Sequence, residues 1–125
     1  MAAGNAGKII ARIESEGFRI EGMKLVRLTA EKAGQFYAVH RERPFYSSLI
    51  RFMSEGPVVV MALERDDAIQ HLRKVMGATD PAKADSGTIR KLYARSIERN
   101  AIHGSDSEAS ARFEIGFFFS EFDLQ

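Results

Sequence analysis

Apolar residues along the chain recur first at helical spacing. Ile9, Ile10 and Ile13 lie about one turn apart, and Gly17 follows where a C-capping glycine belongs, which predicts a short amphipathic helix. Residues 18–28 then alternate, but Phe18 and Ile20 give way to Met23 and Leu25 across Gly22. This parity change predicts a strand with a bulge or late start at Gly22. Thr29 is placed to cap a helix whose apolar face carries Ala33, Phe36 and Tyr37 as far as about His40. Pro44 suits the first turn of another, with Phe45, Leu49, Ile50 and Met53 on one side before Gly56. The two form a hairpin-like pair. Pro57–Glu64 is a continuous β-branched run, the pattern of a central strand buried on both faces. Asp66 or Asp67 opens a helix bearing Ile69, Leu72, Val75 and Met76, which stops at Gly77. Residues 77–99 read as a long loop, with room for a brief helix between Thr88 and Tyr93. Ser107 starts a last helical stretch, and Glu114–Phe119 reads as a final apolar strand. The order implies one domain over residues 1–125, with helices packed on a sheet.

Composition narrows the function. The chain is 45% hydrophobic and 28% charged, enough to bury a core and unlike a disordered polymer. Eighteen Lys and Arg against seventeen Asp and Glu leave a net charge of +1, so any cationic site must be local. Cysteine is absent, which excludes a disulfide framework, thiolate metal clusters and a cysteine nucleophile. That composition suits a reducing, cytoplasmic setting. The longest apolar run, Val58–Leu63, is far shorter than the roughly 20 residues that cross a bilayer, and the N-terminal pattern is not that of a signal peptide.

Of three histidines, His103 has the most suggestive setting, within Asn100-Ala-Ile-His-Gly-Ser-Asp106. An imidazole is nucleophilic at neutral pH, and a phosphoryl group placed on it stays reactive enough to be passed on. For a lone histidine, a local hydrogen-bonding role is the commoner one. His71 reads as exposed and without a role. Arg43, Arg73, Arg90 and Arg99 each lie near a turn signal. Convergence of two or three would make a polyphosphate clamp, to which Thr79 adds a hydroxyl donor, whereas each alone reads as solvated. Phe45 is either a base-stacking platform or core. Glu114, between Phe113 and Ile115, either orients an imidazole or faces solvent. Neither common glycine-rich nucleotide loop occurs, and no His/Asp/Glu spacing suggests a tight metal site, so a magnesium ion would arrive on substrate phosphates.

Taken together, Arg43-Pro-Phe-Tyr46, Ser54-Glu-Gly-Pro-Val58, Met76-Gly-Ala-Thr-Asp-Pro81, Gly87-Thr-Ile-Arg90 and Asn100-Ala-Ile-His-Gly-Ser-Asp106 resemble the nucleoside diphosphate kinase family, in family order and across essentially the whole chain. The resemblance implies an α+β fold, a ferredoxin-like antiparallel sheet with helices on one face. It implies a kinase that moves the terminal phosphoryl group of ATP or another nucleoside triphosphate to a nucleoside diphosphate, through phosphohistidine at His103, with Mg2+ as cofactor. Arg73, Thr79 and Arg90 match phosphate-binding positions, Phe45 the base-stacking position and Asn100 a sugar-hydroxyl contact. Ser105 and Glu114 match a pair that positions the histidine, Tyr37 matches an active-site tyrosine, and His40 is a further residue near the phosphates. A homo-oligomer, tetramer or hexamer built from dimers, is implied as well.

Two departures stand out. Family members begin with an interior strand ending in Lys-Pro-Asp, whose lysine reaches the phosphates; this chain begins Met1-Ala-Ala-Gly-Asn-Ala-Gly-Lys8, just after that motif. With the first strand missing, two inner sheet edges are expected to lie unpaired and the core to open. Met1 stands where the family often has valine, so the expectation is a start misassigned at a GTG codon. The alternative is a catalytically impaired homologue acting as a nucleotide-binding or interaction module. The second departure, Lys91-Leu92-Tyr93 where Gly-Asp-Phe is usual, touches loop packing only.

Overall fold

Spacing and caps account for most elements of the computed structural model, which describes residues 4–38, 42, 46–96 and 101–124. Helix α1 (Ala6–Ser15) closes before Gly17, whose φ of +88° is the left-handed geometry that favours glycine. Its Ile13 is buried against Phe18, Val75 and Ile89, and these four make the core cluster. Strand β1 (Arg19–Arg27) pairs antiparallel with β2 (Pro57–Glu64), and the register shifts between Ile20 and Gly22. The bulge is where the parity change predicts it. Gly22 is buried because the C-terminal segment crosses it: a Cβ there would lie 3.1 Å from the Phe119 ring. Lys24 fastens that segment, donating to the Phe118 carbonyl at 2.8 Å and pairing with Asp123 at 2.8 Å in the closing 3-10 turn (Glu121–Asp123).

Thr29 caps α2 (Ala30–Phe36), accepting the Lys32 amide at 3.1 Å. The helix is shorter than its pattern predicts, for Tyr37 already serves as the C-cap. Helix α3 (Tyr46–Ser54) folds back on it, with the Tyr46 hydroxyl donating to the Gly34 carbonyl at 3.1 Å.

Strand β2 has the predicted bounds but not the predicted burial. Only Ala62 is buried, and β1 is its sole partner among the described residues. Its six consecutive residues Val58–Leu63 line a cavity of about 330 Å³, which α1, α3, residues 101–105, the helical stretch after Ser107 and helix α4 (Ala68–Met76) also line. Successive side chains of a strand point to opposite faces, so a surface that touches six in a row runs along the strand's edge. This strand is therefore central in sequence pattern and half-covered in space.

Asp67 precedes α4 at φ 54° and makes no side-chain cap bond; Gly77 ends the helix. Helix α5 (Ile89–Tyr93) is the brief helix expected, capped by Thr88. The last stretch corrects the sequence reading: Glu114–Phe119 is not a strand, because α6 runs over Glu108–Phe118. A capping box joins Ser107 and Ser110, and Ala111, Glu114, Ile115 and Phe118 then recur at helical spacing along the cavity wall. A short apolar run fits both periods, and continuation of a capped helix decides it; only Phe119 turns extended. The result is an α+β arrangement of the ferredoxin-like class, an antiparallel strand pair with helices packed on it. Among the described residues no helix is long and apolar enough to cross a membrane.

Candidate functional site

Gly104 lets residues 101–105 press against α4. A Cβ there would stand 2.8 Å from Met76 Sδ and 3.2 Å from Leu72 Cδ2, so a side chain would push the segment away. The neighbouring His103 is left about one-third exposed, with Nε2 3.0 Å from Glu114 Oε1. The Ser105 hydroxyl donates to the same oxygen at 3.1 Å. Tyr37 and Phe36 meet the imidazole edge-on, with ring centroids 5.2 and 5.6 Å away. Two aromatic walls and one carboxylate thus fix the ring, and one side of it stays open.

A cationic group lies behind the same segment. Arg90, only 6% exposed, sends Nη2 to the Ile102 carbonyl at 2.8 Å and Nη1 to the Gly77 carbonyl at 3.1 Å. Thr79 Oγ1 lies 3.5 Å from Nη1. Gly77 holds φ +86° and approaches Thr88 so closely that a Cβ would fall 2.5 Å from its Oγ1. Burial, and then the neighbouring Arg73 charge, push the Arg90 pKa down, while Tyr37 acts the other way. Guanidinium nonetheless stays charged in proteins. Burial above all, and then the Glu114 charge, push the Tyr37 phenol up, whereas Arg90 pulls it down. Glu114 and Arg90 thus act on Tyr37, whose ring packs against His103, and Arg73 acts on Arg90.

The structure brings together His103, Ser105, Glu114, Tyr37, Arg90 and Thr79, with exposed Arg73 close enough to act on Arg90. Phe45, Asn100, His40, Arg43 and Arg99 lie outside the described residues. Glu114 approaches the imidazole from a helix rather than the expected strand. Two corrections concern single side chains. Arg90 is buried rather than solvated, because two carbonyls receive its guanidinium; His71 is not idle, because its Nε2 lies 3.0 Å from Glu16 Oε1. Sequence reasoning placed Phe36 on an apolar helix face and missed its contact with His103. It also missed the Gly77 and Ile102 carbonyls, which carry no side-chain signature.

The apolar cavity and the cationic group are distinct. Tyr37, His103, Ser105 and Glu114 line the cavity, whereas Arg73, Thr79 and Arg90 do not. Aliphatic walls from β2 and α1 cannot solvate phosphate oxygens, whereas guanidinium groups on the arginine side have the chemistry to do so. Among the described residues no cluster of three or more His, Asp or Glu could hold a metal ion.

Comparisons with known proteins agree with this geometry. The family model for nucleoside diphosphate kinase matches residues 1–124. A nucleoside diphosphate kinase of Chlorobium limicola is 59% identical over 114 residues, 91% of this chain and 81% of that protein. One from Geotalea daltonii is 56% identical over 119 residues, covering 95% and 87%. The crystal structure of the Aquifex aeolicus nucleoside diphosphate kinase superposes with a TM-score of 0.96 at 47% identity, covering 100% of this chain and 91% of that one. A Halobacterium salinarum nucleoside diphosphate kinase in complex with CDP gives 0.94 at 39% identity, covering 99% and 83%. Joined to a histidine held by a carboxylate beside a buried arginine, these likenesses place the chain in the nucleoside diphosphate kinase family.

Proposed function

We propose that this single domain, residues 1–125, transfers the terminal phosphoryl group of a nucleoside triphosphate to a nucleoside diphosphate, in two steps through His103. With Nε2 hydrogen-bonded to Glu114, the lone pair of Nδ1 is directed to attack. It forms an N–P bond to the γ-phosphorus as the bond to the β-phosphate oxygen breaks, and the diphosphate leaves with that electron pair. The Nε2 proton stays between His103 and Glu114, which balances the positive charge growing on the ring. A second diphosphate then presents a terminal oxygen, the N–P bond breaks, and the imidazole is regenerated.

Arg90, Arg73 and Thr79 are assigned to the phosphates, where they neutralise charge spread over the transferring group. Ser105 and Tyr37 keep Glu114 and the ring in place. Phe45 is assigned to the base and Asn100 to the sugar hydroxyls. Stacking on a ring face reads no base edge and tolerates many bases. A divalent cation, Mg2+ in this proposal, enters on the nucleotide phosphates and offsets their charge. Nucleoside diphosphates are the acceptors suggested by the CDP held by the Halobacterium relative. Cytoplasmic location is proposed from the cysteine-free composition. Assembly into a homo-oligomer built from dimers is supported by Met23 and Leu25, 53% and 66% exposed on β1.

The observation that carries the reading is the Glu114–His103 pair set beside Arg90 through the Ile102 carbonyl. Incubation with γ-labelled ATP tests it. Acid-labile, alkali-stable label on the protein, lost in His103→Ala, is expected; label that survives that substitution rejects His103 as the carrier.

A further inference from the structure

A five-residue helix does not hold itself in place, since isolated helices of that length are unstable in water. Helix α5 carries Arg90 as its second residue; its first, Ile89, is buried in the core cluster, and its orientation then depends on what grips its entry. Thr88 caps it, with its hydroxyl donating to the Asp85 carbonyl at 2.8 Å and accepting the Lys91 amide at 3.3 Å. One residue earlier, the Gly87 carbonyl receives Arg12 Nη1 at 2.7 Å, from α1 and 75 positions away in the chain. Arg12 is itself held: its Nε donates to Glu16 Oε2 at 2.9 Å, and Glu16 Oε1 lies 3.0 Å from His71 Nε2 on α4. The guanidinium thus spans two acceptors, one at the C-cap of its own helix and one at the mouth of α5.

We propose that Arg12 is a positioning residue for the phosphoryl transfer, setting through Gly87 where the Arg90 guanidinium meets the Ile102 carbonyl beside His103. This inference rests on the function proposed above. Arg90 acts on charge that grows during transfer, so its displacement slows the chemical step more than it weakens nucleotide binding. Only the fork geometry of guanidinium reaches both acceptors; the single ammonium of lysine does not.

The test measures phosphorylation of His103 by ATP in single turnovers, for Arg12→Met, Arg12→Lys, Arg90→Lys and the Arg12→Met/Arg90→Lys pair. A direct charge-stabilising donor is worth on the order of 10²–10³ in rate, so displacing one through a neighbour should cost about tenfold. Arg12→Met is expected to lower the limiting rate about tenfold, with a less than about twofold change in the ATP concentration giving half that rate. Arg12→Lys should recover little, and free guanidinium added to Arg12→Met should recover part. In the Arg90→Lys background the Arg12 change should add almost nothing, because its effect runs through Arg90. Arg19→Ala, which removes another exposed arginine paired with Glu64, should leave the rate unchanged. Equal, multiplicative losses in the two backgrounds, or full activity in Arg12→Met, would overturn the proposal. Full activity in Arg90→Lys would instead sink the reading of Arg90 on which it rests. Melting temperatures of each variant, read alongside, attribute to Arg12's general packing any loss that guanidinium does not rescue and that tracks unfolding, and that result also counts against the inference.

Discussion

Glu114 Oε1 holds His103 Nε2 at 3.0 Å while accepting the Ser105 hydroxyl at 3.1 Å, so one carboxylate oxygen fixes both the tautomer and the tilt of the imidazole. Glu114→Gln keeps the shape but removes the charge that opposes a developing imidazolium. General acid–base and orienting groups of this kind contribute about 10²–10⁴ in rate, so a fall of roughly 10² in kcat with a small change in KM is expected. Ser105→Ala should cost less, since Glu114 keeps its contact with the ring. Steady-state kinetics of both variants check the ranking; Ser105→Ala losing more than Glu114→Gln would reverse the assignment.

Arg90 is tied to two backbone carbonyls, and its loss should be felt twice. Arg90→Lys keeps a charge but cannot span Gly77 and Ile102, which stand on different segments. Removing one preorganised donor costs on the order of 10²–10³ in kcat, and a carbonyl of half-buried Gly77 or Ile102 left without its partner costs about 1 kcal/mol of stability. Stopped-flow rates and urea unfolding of the same variant separate the two effects. An unchanged kcat with lowered stability would leave Arg90 structural only.

Much of this arrangement is legible in the sequence, and what is not shares one physical cause. The bulge at Gly22 and the bounds of Pro57–Glu64 follow from local pattern, because alternation and β-branching are properties of the strand itself. The exposure of β2 along one edge is not local, since it depends on which neighbour pairs with that edge. Glu114, read as either orienting an imidazole or facing solvent, is expected on a strand and lies on a helix: its apolar neighbours fit both, and the Ser107–Ser110 cap decides between them. Arg90, matched by the resemblance to a phosphate-binding position, gives no sign of its burial when read alone, because its partners, two carbonyls, have no letter in the sequence.

Gly104 sets how closely the histidine segment lies on α4. Its backbone needs no left-handed geometry, so the cost of Gly104→Ala is steric: the new Cβ would lie 2.8 Å from Met76 Sδ and 3.2 Å from Leu72 Cδ2. Met76 is flexible at that end, and overpacking of this kind typically costs about 1–3 kcal/mol. Lowered stability with reduced His103 labelling is expected. Adding Met76→Ala makes room, and labelling should partly return; its failure to do so would show that the glycine serves something other than close approach.

Tyr37 makes the folded chain sensitive to alkali. Burial raises its phenol pKa, with the Glu114 charge adding to the effect and Arg90 opposing it. In the unfolded chain the same group titrates near about 10. Below that pH both states keep the proton and Tyr37 contributes no slope. Above it the unfolded chain has lost the proton while the folded chain still binds it, so stability falls as pH rises toward the folded value. Tyr37→Phe cannot ionise and should lose less stability than the parent between about pH 8 and about pH 10.5, a window that straddles the unfolded pKa. Urea midpoints for both proteins at the two pH values measure this directly, with the lysines and other tyrosines common to both. Parallel losses would mean that the Tyr37 hydroxyl ionises as readily in the folded chain as in the unfolded one, which its burial against His103 and Phe36 forbids.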